Sequence, residues 1–94
     1  MAKFINAFSR NEVVWTRGAT EAINLVAHAW GDAYVSSGDE VVLSALEHHS
    51  NLVPWQLLSS RTGCTLRYAP LDEKQQQLDT DKLLDLITPK TKVV

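Results

Sequence analysis

The spacing of apolar and polar positions changes several times along the chain. Glu12-Val13-Val14-Trp15-Thr16 is a short β-favouring run, and from Thr20 the apolar residues Ile23, Val26, Ala27, Trp30 and Tyr34 take helical spacing. Glu40-Val41-Val42-Leu43, after the turn Ser37-Gly38-Asp39, is apolar without alternation, as in a strand covered on both faces. Leu52, Val53, Trp55, Leu57 and Leu58 mark the next helix. Ser50 or Asn51 can cap it, Pro54 is tolerated in its first turn, and it fades at Arg61-Thr62-Gly63. Cys64 to Pro70 reads as a third strand, Leu71-Asp72-Glu73-Lys74 as a turn, and Asp79 to Ile87 as a helix capped by Thr80 with Leu83, Leu84 and Ile87 as its stripe. Ala2 to Phe8 resembles the tail of a helix, and Thr91-Lys92-Val93-Val94 begins a further strand. About four strands alternating with helices predict an α/β fold.

Two strand-to-helix junctions carry candidate chemistry. At Thr16-Arg17-Gly18-Ala19-Thr20-Glu21 the first N–H groups of a helix lack intrahelical partners, and the peptide dipoles place positive potential there. Gly18 allows close approach of a ligand, Ala19 adds little bulk, and the Thr20 hydroxyl can donate to a phosphate oxygen beside its own N–H. Glu21 is expected to point away from an anion. Thr is equally an ordinary N-cap and Gly common punctuation, so this segment by itself also reads as a plain helix start. It is neither a dinucleotide fingerprint nor a P-loop, since G-x-G-x-x-G and a following Gly-Lys-Ser/Thr are both missing.

At Glu47-His48-His49-Ser50-Asn51 two histidines follow the carboxyl end of a strand, the edge at which open α/β sheets bind ligands. Three readings of the pair stand side by side. They are core or surface histidines, metal ligands without the spaced partners that zinc wants, or a flat imidazole suited to stacking and acid–base work.

The string Thr16 to Ala27, then Gly38-Asp39-Glu40-Val41-Val42, then Glu47-His48-His49-Ser50-Asn51-Leu52-Val53-Pro54-Trp55-Gln56, resembles the pyridoxal-phosphate-dependent cysteine desulfurases of the class V aminotransferase group. It is most similar to their SUF-type or selenocysteine lyase branch. The resemblance implies a partial aminotransferase-like large domain, with residues 1–94 an incomplete segment of it and no second domain. It implies pyridoxal 5'-phosphate (PLP) as cofactor, with its phosphate at Ala19 and Thr20 and its pyridine ring under His48, which also helps to move protons. Ala19 stands where Thr is frequent in the family and Ser50 where Ala is frequent. The implied reaction converts L-cysteine, or selenocysteine, to alanine and supplies sulfur to an acceptor protein for iron–sulfur cluster assembly, in a homodimeric full-length enzyme. The family's cofactor lysine, pyridine-pairing Asp, carboxylate-binding Arg and persulfide cysteine all fall further along, so this segment is expected to be inactive alone. Its first strand is expected to lack its family neighbour, which predicts marginal stability or aggregation.

Two other classes fit the same residues. A different class V enzyme, such as a transaminase or amino-acid lyase, shares the phosphate turn and lacks the persulfide loop. A non-catalytic anion-binding or interaction module ends at Val94 and holds phosphate without the rest of the fold.

Composition narrows the partners. The chain has 94 residues, 45% hydrophobic and 21% charged, with a net charge of −2, so no basic surface points to nucleic acid. No apolar run reaches the ~18 residues of a membrane span, and no signal-peptide pattern opens the chain. The single cysteine, Cys64, forms no internal disulfide, suits a reducing cytoplasm and reads as a small buried hydrophobe. Gln75-Gln76-Gln77 is expected to be a polar loop or helix lead-in, and no metal site is expected.

Overall fold

The computed structural model describes residues 1–72, 74 and 77–94. Its centre is a parallel sheet of β1 (Glu40–Ser44), β2 (Thr65–Ala69) and β5 (Thr91–Val93), in the order β2-β1-β5. The register sets Val41 opposite Leu66 and Leu43 opposite Tyr68, and Glu40 opposite Thr91 on the other side. β1 has a neighbour on both edges, and Val41, Val42, Leu43 and Ser44 are all buried, as its unbroken apolar run predicts. Glu40 ties the amino end of the sheet together: it accepts from the Thr88 hydroxyl at 2.7 Å and pairs with Arg67 at 3.1 Å.

The first helical rod is α1 (Ala19–Leu25), a π-helical stretch over Val26–Gly31, and α2 (Asp32–Tyr34). The apolar stripe expected on it was Ile23, Val26, Ala27, Trp30 and Tyr34, but Val26, Trp30 and Tyr34 are exposed. The inward residues are instead Ala27, Gly31 and Val35, with Ile23 packed against the same core. Winding explains the change. Steps of four overshoot one α-helical turn by ~40°, so a stripe at that spacing drifts round a plain α-helix. The wider π-turn, closed by i→i+5 bonds, cancels that drift and keeps positions 23, 27, 31 and 35 on one line.

α3 (Val53–Thr62) packs across this rod and onto β2. Trp55 and Leu58 enter the core with Ala27, Val35, Val41, Leu43 and Cys64. Pro54 falls in the first turn, and Gly63 ends the helix in the left-handed region at φ 77°, its N–H donating to Ser59 O at 2.8 Å. α4 (Thr80–Asp85) packs against β2 and is capped by Asp79, not by Thr80; the Asp79 carboxylate accepts from Lys82 N at 3.1 Å.

Three other expectations are corrected. Residues 13–16 form no strand. After a 3₁₀ turn at Arg10–Glu12 they run in irregular backbone with Val14 and Trp15 exposed, because no neighbouring strand completes a ladder. Ala2 to Phe8 is a set of turns rather than a helix tail: Asn6 takes φ 54°, which ends helical winding, and Phe4 and Phe8 face solvent. Of the turn expected at 71–74, Leu71–Asp72 is β3, paired antiparallel with β4 at Gln77–Leu78. Glu73, Gln75 and Gln76 lie outside the described residues, as does most of the expected Gln75-Gln76-Gln77 loop. Cys64 is buried just before β2, as expected of a small hydrophobe.

Candidate functional site

The turn that follows the carboxyl end of β1 meets the first helical rod. α1 packs against the 3₁₀ turn His49–Asn51, and the start of α2 lies beside the end of α3, where Arg61 Nη2 and Asp32 Oδ1 are 2.8 Å apart. This brings the helix that opens with Ala19 and Thr20 against the turn that His48 introduces.

At the first start, Gly18 is extended (φ 165°, ψ 176°), so its backbone needs no special freedom, and the space beside it is open. A methyl placed there would find no atom within 4 Å. Ala19 and Thr20 are exposed, and the first α-helical bond out of this turn comes from Ala22 N to Gly18 O at 3.1 Å. The preceding N–H groups belong to the unpaired first turn. Glu21, the one acidic group there, folds back onto Arg17: its carboxylate accepts the Arg17 N–H at 2.6 Å and pairs with the guanidinium at 3.2 Å. The Arg17 N–H, then its side chain, hold the Glu21 carboxyl below the usual glutamate range. An open approach, free helix-start N–H groups, an exposed hydroxyl and a counter-paired carboxylate fit an anionic group such as a phosphate.

At the second start, His48 caps the turn itself. Its Nδ1 accepts from Ser50 N at 3.2 Å, and Asn51 N donates to His48 O at 2.8 Å. This replaces the expected cap by Ser50 or Asn51: α3 follows Leu52, which offers no side-chain cap, because the 3₁₀ turn has already led the chain into the helix. His48 and His49 are both exposed, with rings edge-on at 6.1 Å between centroids.

Behind His48 stands a chain of hydrogen bonds that reading by motif did not assign. The Ser44 hydroxyl donates to Glu47 Oε1 at 2.6 Å, Asn51 Nδ2 donates to Glu47 Oε2 at 2.8 Å, and Trp55 Nε1 donates to Asn51 Oδ1 at 2.9 Å. The Ser44 hydroxyl, then the Asn51 amide, hold the Glu47 carboxyl below its ordinary value. The spacing 47, 51, 55 was the available signal, since residues four apart share a helix face.

A surface hollow lies elsewhere. About 480 Å³ in volume, it is lined by Pro70, Leu71, Asp72, Lys74, Asp79 and Lys82 beside the β3–β4 hairpin. It is set aside as a cofactor site because it includes none of the residues at the two helix starts. Among the described residues no group of three or more His, Cys, Asp or Glu side chains could hold a metal ion, and no helix is long and apolar enough to cross a membrane.

A family model for class-V aminotransferases matches residues 1–94, and the chain belongs to that family. Within it, proteins named cysteine desulfurase are among those similar to this chain. A probable cysteine desulfurase of Synechocystis is 51% identical over 94 residues, covering 100% of this chain and 22% of that protein. The cysteine desulfurase CsdA of Escherichia coli, solved in an S-sulfonic acid form, superposes with a TM-score of 0.81 at 41% identity, covering 96% of this chain and 22% of that one. A C-DES variant with glycine covalently linked to its PLP cofactor gives 0.73 at 29% identity, covering 98% and 23%. The chain thus spans about a fifth of the length of these relatives, and their fold agrees with the mixed α/β architecture described above.

Proposed function

We propose that this segment supplies one wall of the PLP site of a cysteine desulfurase. The observation that supports the reading is the packing of α1, whose Gly18 end is open, against the turn that His48 caps, in a chain half identical to a probable cysteine desulfurase. Bound PLP supplies an electron sink for carbanion chemistry on an amino-acid substrate. The Ala19 and Thr20 N–H groups and the Thr20 hydroxyl bind its phosphate, and Arg17 keeps the Glu21 charge off that anion. His48 lays its imidazole on the pyridine ring and works as a proton-handling group beside it.

The reaction proposed for the whole enzyme takes L-cysteine, or its selenium analogue, and an enzyme thiol to alanine and an enzyme persulfide. The transferred sulfur goes on to an acceptor protein for iron–sulfur cluster assembly. The cofactor lysine and the accepting cysteine come from other parts of the enzyme, which works as a cytoplasmic homodimer, and this segment alone is not active.

Thr20→Val and His48→Ala in the protein expressed from its complete reading frame test the reading. Loss of one hydrogen bond to a charged group, worth ~1.5–3 kcal/mol, should weaken PLP retention in Thr20→Val by ~10- to 100-fold. Loss of a general acid–base group should lower alanine formation in His48→Ala by ~10²- to 10⁴-fold. Unchanged cofactor absorbance and rate in both variants refute the assignment.

A further inference from the structure

Which ring nitrogen His48 can offer is decided within its own turn. The Ser50 backbone N–H points at Nδ1 from 3.2 Å, and an amide N–H can only donate, so Nδ1 must be its acceptor. A proton on Nδ1 would meet that N–H head-on. Ser50 Oγ lies 3.0 Å from the same nitrogen; with Nδ1 already an acceptor, the hydroxyl is its second donor. No protein group engages Nε2 among the described residues. The turn around the ring is braced: Glu47 is held from both sides by Ser44 and Asn51, and Asn51 is held by the buried Trp55.

We infer that Ser50 is a positioning residue for His48: by filling Nδ1 from the turn side it holds the neutral imidazole as the Nε2–H tautomer, so that Nε2 alone faces a bound ligand, as a hydrogen-bond donor. The inference rests on the proposed function only for naming that ligand as the PLP–substrate pair.

The test is a long-range ¹H–¹⁵N spectrum of the histidine rings in the complete protein, recorded in mildly alkaline buffer, cofactor-free and with added PLP. The His48 signals are those lost in His48→Gln. Wild type should show a protonated Nε2 and an unprotonated Nδ1. Ser50→Ala keeps the backbone donor and loses the hydroxyl, so the Nδ1–H to Nε2–H ratio should rise about fivefold, the equivalent of one ~1 kcal/mol hydrogen bond. Ser50→Thr should restore the wild-type ratio. A wild type in the Nδ1–H form, or an unchanged ratio in Ser50→Ala with matched circular dichroism, overturns the inference. A wild type that retains no PLP on dialysis overturns the proposed function instead, while the cofactor-free spectra still decide the role of Ser50.

Discussion

Adding one methyl group at Gly31 should cost stability in the native chain and restore it in a second background. Gly31 has ordinary helical backbone (φ −59°, ψ −51°), so alanine there is not strained by its dihedrals. The obstacle is Leu58. A Cβ at Gly31 would lie 2.8 Å from Leu58 Cδ2 and 3.1 Å from Cδ1, against the ~3.5–4.0 Å of normal carbon contact. Leu58 is fully buried and cannot swing into solvent. Overpacking of this kind costs ~1–3 kcal/mol, and replacing glycine in a helix returns ~1 kcal/mol, so Gly31→Ala should be neutral to ~2 kcal/mol destabilising. Leu58→Ala alone should cost ~2–5 kcal/mol by leaving a cavity. With Leu58 shortened the clash is gone and the new methyl fills part of that cavity, so Gly31→Ala should then stabilise by ~1 kcal/mol or more. Urea unfolding of wild type, both single variants and the double variant, followed by far-ultraviolet circular dichroism, closes the cycle. Additivity within ~0.5 kcal/mol would show that the two sites do not touch, and would refute the packing argument.

The remaining predictions concern the turn and the helix end. Glu47 has a lowered folded-state value, so its contribution is complete above its ordinary value of 4.5 and is lost as pH falls through the lowered one. The gap in urea midpoint between wild type and Glu47→Gln should therefore close on going from about pH 7 to about pH 3, and a gap that widens in acid contradicts this. Gly63→Ala places a side chain in the left-handed region with its Cβ 3.4 Å from Ser37 Cβ, and should cost ~1–2 kcal/mol in thermal or urea unfolding. Gly63→Asn should cost less, since asparagine tolerates that conformation, and equal losses would point to the Ser37 contact instead.

What could be read from the residues divides along physical lines. Val41 to Leu43 was legible as a covered strand because the run has no polar interruption, and Gly63 marked the end of α3 because left-handed backbone selects glycine. The stripe at 23, 26, 27, 30 and 34 was misphased because helical spacing was judged against uniform α-winding, and nothing local announces a π-turn. Residues 13–16 carry strand-favouring side chains, yet a strand exists only by pairing, which is a property of neighbours and not of the segment. Asp79 rather than Thr80 caps α4 since both side chains suit the position and the backbone chooses between them. At the candidate site, the motif residues His48 and Thr20 were singled out by type and position. Glu47, Asn51 and Trp55 were passed over since an ordinary helix-facing triplet acquires meaning only once its hydrogen bonds are seen.

The wide turn between Leu25 and Asp32 has a consequence for changes of chain length. The rod is held at two places, α1 against the His49–Asn51 turn and Asp32 through its pair with Arg61. Slack is therefore stored in the middle. A deletion of one residue inside Val26–Gly31 would let that stretch close into ordinary winding and leave the two anchors in place, whereas the same deletion between Gly18 and Glu21 would remake the open start itself. The fold thus has a place where indels are absorbed, remote from the helix start proposed to bind a phosphate.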